Sequence, residues 1–150
     1  MASTLTNLVY HVVFSTKGRE PMIVASICDE LYRYIGGIVK NEGGILIQIG
    51  GMPDHLHLVV KLKPNHQLSQ IMQKIKGNSS KWINTQGQLK DRFSWQDGYG
   101  AFTVSESQVP IVVRYVKEQK NHHRKYSFKE ELTQILELHN VEYEKRYLWT

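Results

Sequence analysis

One cysteine, four prolines and no apolar run of membrane length characterise this 150-residue sequence by what it lacks. Cys28 has no partner for an intramolecular disulfide and cannot build a thiolate metal cluster, so a metal here must be held by His, carboxylate or amide groups. Cys28 falls within an apolar helical pattern, where a buried, inert thiol is expected. No apolar stretch approaches the roughly 20 residues that span a bilayer. The opening MASTLTNLVYHVVF has no charged leader followed by an apolar stretch and a small-residue cleavage site. A cytoplasmic protein without membrane contact is the expectation. No repeat, low-complexity tract or Pro/Gly linker divides the chain, and its length suits one domain over 1–150.

Charge of one sign is scarce in particular places. The net charge is +5, which by itself says little about partners. Between Lys61 and Arg92 there are seven basic residues and one acid, Asp91; between Arg114 and Lys125 there are five basics and one acid, Glu118. From Tyr126 onward five acids face three basics. Positive charge is thus gathered into two central segments, as a phosphate-binding footprint requires, although two solvated helix faces would look the same.

Hydrophobic periodicity predicts a strand over 8–14, then a helix opened by Pro21, with Ile23, Ile27, Leu31, Tyr34, Ile35 and Ile38 on one stripe, ended by Gly43-Gly44. A strand over 45–49, a turn at Gly50-Gly51-Met52-Pro53 and a strand over 55–62 follow. A second helix is predicted from Gln67 to about Asn84 and a fourth strand over 99–104. Ser105 with Gln108, and Ser127 with Glu130, have the spacing of capping boxes for a third and a fourth helix. The order strand-helix-strand-strand-helix-strand predicts an α+β, ferredoxin-like antiparallel sheet with helices on one face, plus C-terminal helices. That architecture hosts many functions and selects none.

Three groups of residues could do chemistry. Along a strand His55 and His57 point to one side and Leu56 to the other, so two imidazoles can share a divalent ion; unrelated histidines on a polar sheet face would have the same spacing. Asp54 could hydrogen-bond one of those rings or simply form the turn. Tyr115 and Gln119 are one helical turn apart, on the flank of the stripe formed by Val109, Val112, Val113 and Val116. There Tyr115 is either a packing residue or a phenol facing a cleft. His122 and His123 could complement a helix dipole or touch phosphate, and count as DNA-contact candidates.

Four segments taken together carry a resemblance. They are Tyr10-His11-Val12-Val13-Phe14-Ser15-Thr16-Lys17, the run from Met52 through Asp54, His55 and His57 to Val60, the run from Trp95 to Phe102, and Tyr115-Val116-Lys117-Glu118-Gln119. In this order they resemble the single-tyrosine transposases of bacterial insertion sequences, within the HUH endonuclease superfamily. The resemblance runs from Tyr10 to about Phe128. It implies a metal-dependent DNA transposase in which His55 and His57 hold Mg²⁺ or Mn²⁺, with Gln119 completing the metal shell. Tyr115 would attack the scissile phosphate of single-stranded DNA, leaving a 5′-phosphotyrosine and a free 3′-hydroxyl. It also implies hairpin-bearing DNA as partner and a homodimer, with the histidines of one chain meeting the tyrosine of the other. Domesticated, repeat-associated hairpin nucleases share these motifs. Lys61, Lys63, Lys74, Lys81 and Arg92 are the candidates for phosphate contact. Two rivals stand beside this reading: a non-catalytic nucleic-acid-binding module, and a hydrolase of small phosphorylated molecules that uses water as nucleophile.

Overall fold

The computed structural model describes residues 4–145. Four strands, β1 (Leu8–Ser15), β2 (Ile45–Met52), β3 (His55–Leu62) and β4 (Gly100–Val104), form one antiparallel sheet in the order β2-β3-β1-β4. Helices α1 (Ala25–Asn41) and α2 (Leu68–Gln86) make the two crossovers, which gives the expected ferredoxin-like α+β arrangement. The C-terminal part folds into α3 (Val109–Lys117), α4 (Gln119–His122) and α5 (Phe128–Leu138). No helix among the described residues is long and apolar enough to cross a membrane.

The period-2 alternation of the strands divides the molecule into two layers. Val12 and Phe14 of β1 and Leu56, Leu58, Val60 and Leu62 of β3 face α1 and α2, where Ile27, Leu31, Ile35, Val39, Ile71, Met72 and Ile75 complete the main core. The opposite face of the sheet is covered by the C-terminal helices. Val116 of α3 packs on Val9, Val59 and Val104, while Phe128, Leu132 and Leu136 of α5 pack on Val13 and Phe102. His11, His55 and His57 belong to this second face and are buried there.

Several boundaries differ from the expectation for local reasons. Pro21 does not open α1; residues 21–24 are extended because the amide of Ile23 donates to the carbonyl of Pro53, and the helix begins at Ala25. Gly50, Gly51 and Met52 are not a turn but continue β2, paired with His57, Leu56 and His55. The turn is confined to Pro53-Asp54. Ser105 makes no side-chain cap, because a short 3-10 turn (Glu106–Gln108) precedes α3, whereas the Ser127–Glu130 capping box of α5 forms in full. Cys28 is half-buried at the edge of the main core, not enclosed by it.

Gly50 brings α3 onto the sheet. A Cβ at that position would lie 2.2 Å from the carbonyl oxygen of Val116, so only glycine lets the helix backbone come this close to β2. Gly50→Ala is therefore expected to push α3 outward and lower stability by about 1–3 kcal/mol, as overpacking does. Urea unfolding measures this; an unchanged midpoint would mean that α3 sits elsewhere.

Candidate active site

The layer between the sheet and the C-terminal helices encloses a cluster of buried histidines and a carboxylate. His55 and His57 reach it from β3, as alternation requires, and Glu131 enters from the first turn of α5. Glu131 is 1% exposed, His55 1%, His57 0% and Gln119 1%. A carboxylate so far from water must be compensated by donors. His57 Nε2 is 2.9 Å and His55 Nε2 3.4 Å from Glu131 Oε1, and Gln119 Nε2 donates to Glu131 Oε2 at 3.1 Å. The Tyr115 hydroxyl donates to Oε2 as well. His123 Nε2 stands 3.2 Å from Oε1 and His122 Nε2 3.4 Å from Oε2. Six side chains thus converge on one carboxylate.

Further groups fix the histidine rings. Asp54 lies 2.7 Å from His55 Nδ1, and Phe128 stacks on the His55 ring with centroids 4.1 Å apart. His11 Nε2 is 2.8 Å from His57 Nδ1. His11 thus occupies the nitrogen of His57 that points away from Glu131, which holds the ring in place and couples its tautomer to that of His11. The Tyr115 ring meets His57 edge-on at 5.7 Å within the same chain.

Electrostatics follow from burial and these partners. Burial alone would lower the pKa of His55, but hydrogen bonds to Asp54 and Glu131 and their charges overcome it and raise the value to about 9. His55 is an imidazolium in the metal-free protein, donating from both nitrogens. Burial lowers His57, and burial with the neighbouring His57 lowers His11 to about 3, so these two rings are neutral. Burial opposes ionisation of Glu131, yet the hydrogen bonds from His123, His55 and His57 prevail and hold it well below the carboxylate range. Burial and the charge of Glu131 push the Tyr115 phenol well above its ordinary value.

One nitrogen of His55, one of His57 and one oxygen of Glu131 lie within 4.8 Å of one another. Two imidazoles and a carboxylate form a donor set suited to a divalent ion, and the residues present therefore fit one. Gln119 Oε1 is 3.1 Å from His55 Nε2 and borders the same position.

Comparison with known proteins gives the family. The family profile described as Transposase IS200 like matches residues 4–119. The chain belongs to that family. It is 27% identical over 117 residues to the ISDra2 transposase TnpA of Deinococcus radiodurans, covering 75% of this chain and 84% of the relative. It is 28% identical over 128 residues to the transposase for insertion sequence element IS200 of Salmonella typhimurium, covering 79% and 81%. Among solved structures, a candidate transposase of D. radiodurans superposes with a TM-score of 0.66 at 26% identity, over 79% of this chain and 95% of the other. A REP-associated tyrosine transposase bound to a REP hairpin shares the fold, with a TM-score of 0.61 at 14% identity over 82% and 72%. The protein is a DNA transposase of this family.

The sequence-derived candidates separate into two places. His55, His57, Tyr115, Gln119 and Asp54 meet in one cluster, and His122 and His123, expected at DNA, are turned inward onto Glu131. Lys81 and Arg92 line a cavity of about 640 Å³ along α2. Lys61 is half-buried on β3, Lys63 is exposed just after it, and Lys74 is ion-paired to Glu42 at 2.8 Å. Glu131 and His11 were missed. Glu131 lies beyond the family match, on a helix whose apolar pattern draws attention to Leu132 and Leu136. The one available signal was an acid directly behind a capping box.

The pKa shifts set a pH window for the metal-free protein. His55, raised from 6.5 to about 9, contributes stability that is complete below pH 6.5 and is lost as pH rises through 9. His11, lowered to about 3, costs stability as pH falls below 6.5, because the unfolded chain takes up a proton that the folded chain refuses. Stability in a chelator should therefore peak near pH 6.5 and decline toward pH 9, with Asp54→Asn moving the alkaline decline to lower pH. Urea midpoints across this range test it, and a flat profile from 6.5 to 9 would rule out a protonated His55.

Proposed function

We propose that this transposase cleaves and rejoins single-stranded DNA through Tyr115, with a Mg²⁺ or Mn²⁺ ion held by His55, His57 and Glu131 and bordered by Gln119. One observation carries the reading. The phenol hydroxyl and both imidazole Nε2 atoms converge on the two oxygens of a single buried carboxylate, so nucleophile and metal position are neighbours. A bound divalent ion would polarise the phosphodiester and stabilise the charge that develops on its oxygens.

The chain's own groups divide the remaining work. Tyr115 Oη forms a bond to phosphorus, the bond from phosphorus to the 3′-oxygen breaks, and the 3′-oxygen leaves as a hydroxyl once protonated. Glu131 Oε2, which accepts the phenol hydrogen bond, orients the hydroxyl, while Oε1 remains with the histidines, and the phenol proton passes to water on ionisation. Asp54 and His11 hold the rings from behind. The 5′-phosphotyrosine conserves the energy of the broken ester, so a 3′-hydroxyl can reverse the step and join DNA without a nucleotide cofactor. Burial and the Glu131 charge hold the phenol protonated at neutral pH, and a nearby cation would offset the second of these.

The substrate that this reading favours is a hairpin-flanked element end. Lys61, Lys63, Lys81 and Arg92 serve the phosphates of the hairpin, with Lys74 available only when its pair with Glu42 opens. The family resemblance leads to sites shared between two chains. His55, His57, Tyr115 and Gln119 already meeting in one chain supports assembly in cis instead.

Incubation of the protein with Mn²⁺ and single-stranded hairpin DNA from the flanks of its own gene is expected to give a covalent protein–DNA species on a denaturing gel. Tyr115→Phe should abolish the species and retain DNA binding, and Tyr126→Phe should leave both intact. If wild type binds these strands and forms no adduct, the strand-cleavage reading fails. Mixing Tyr115→Phe with His57→Ala protein separates the two assemblies: no recovery is expected for sites in cis, and restored activity would establish sharing between chains.

A further inference from the structure

Helices α3 and α4 present two chemically distinct sides, and the site occupies only one of them. Tyr115, Gln119, His122 and His123 turn inward to Glu131. Arg114, Lys117, Lys120 and Arg124 turn to the other side, into a common groove. These four cations line a groove of about 1140 Å³ between α3–α4 and the edge strand β2, with the N-terminal half of α1 as its far wall. All four side chains are exposed, and none has a hydrogen-bond or ion-pair partner among the described residues.

Two acids, Asp29 and Glu118, also border the groove, so it is lined by four cations against two anions and is net positive. Tyr32 and Gln48 supply an aromatic and an amide on the walls opposite the cations. Gln119 belongs to the lining of the groove and also reaches His55 Nε2, so the groove ends against the cluster that contains Tyr115. A run of unpaired cations with polar and aromatic walls, leading to a buried reactive centre, suits a flexible polyanion better than a rigid duplex. Lys81, Lys90 and Arg92 line a separate cavity.

We propose that this groove binds the single-stranded DNA segment adjoining the scissile phosphate, its backbone following Arg114, Lys117, Lys120 and Arg124 toward Gln119. The inference rests on the reading of the chain as a single-strand-cleaving transposase, and it adds a strand path distinct from the hairpin contacts on α2.

The test uses the full chain in chelator, so that binding is read without cleavage. Fluorescence anisotropy is recorded with two labelled probes, an oligothymidine of about 12 nucleotides, within the range of single-strand sites, and a blunt DNA hairpin without single-stranded flanks. The combined variant Arg114→Gln, Lys117→Gln, Lys120→Gln and Arg124→Gln is expected to lose at least about tenfold in oligothymidine affinity, with the slope of log affinity against log salt reduced by about 2–3. Hairpin affinity should remain within about twofold. If the combined variant unfolds, Lys117→Gln with Lys120→Gln should give about half that change in slope. Equal losses for both probes, or oligothymidine binding equal to wild type, would overturn the groove. An adduct-forming wild type whose groove variants bind oligothymidine normally sinks the groove alone; strong groove-dependent binding with no adduct from wild type sinks the cleavage reading alone.

Discussion

A carboxylate removed from water is the constraint on which the second layer of this protein depends. Glu131 enters from α5 with 1% of its surface exposed, and an ionised group so placed is tolerated only if its lone pairs are met. Side chains from β3, α3, α4 and the segment after α4 do this together, through His57, His55, Tyr115, Gln119 and His123. The requirement fixes more than the carboxylate. It sets the orientation of α3 and α4 relative to the sheet and the docking of α5 on Val13 and Phe102. Removing one donor would leave a buried charge short of a partner, which is a larger penalty than the loss of a single exposed hydrogen bond.

The sheet makes such a cluster compatible with a conventional core. Along β3 the even positions from Leu56 to Leu62 are apolar and buried against α1 and α2, while His55 and His57 at odd positions turn to the other layer. Polar chemistry and hydrophobic cohesion thus use the same strand without competing, because consecutive side chains never share a face. Gly50 then lets the α3 backbone rest on β2. Tyr115 is delivered beside His57 by that close approach and by Val116 in the apolar contact with Val9, Val59 and Val104.

Much of this was legible in the sequence, and the parts that were not share a cause. Strand alternation placed His55 and His57 on one face, and helical spacing placed Tyr115 beside Gln119; both hold because they depend only on local periodicity. The span of β3 was legible because turn-forming residues up to Pro53 precede it and Pro64 follows it. The extension of β2 through Gly50–Met52 was hidden, since glycines read as a turn unless a partner strand and an approaching helix demand them. Glu131 was hidden more deeply. It is separated from His57 by 74 positions, and nothing in an amphipathic helix says which of its acids will be pressed against a sheet. His122 and His123 were visible as a pair, but their direction depends on the break between α3 and α4 at Glu118, which no periodicity announces. Long-range pairing of polar groups is a property of the packed layers.

The charge balance of the cluster is compatible with the proposed dication between His55, His57 and Glu131. In the metal-free protein the anions Glu131 and Asp54 face one imidazolium, His55, and the phenol keeps its proton. A divalent ion between His55, His57 and Glu131 must displace the His55 proton, because a ligating imidazole is neutral. The local charge would then rise by one unit, and Glu131 would lose part of its pull on the phenol hydrogen. The donors that satisfy the carboxylate without metal are thus the same atoms that would ligate it. Filling the site would exchange a proton for an ion on atoms already held in place. Under the proposed reading, that exchange would move the field at Tyr115 in the direction phenolate formation requires, so the network that stabilises the layer would also prepare the phenol.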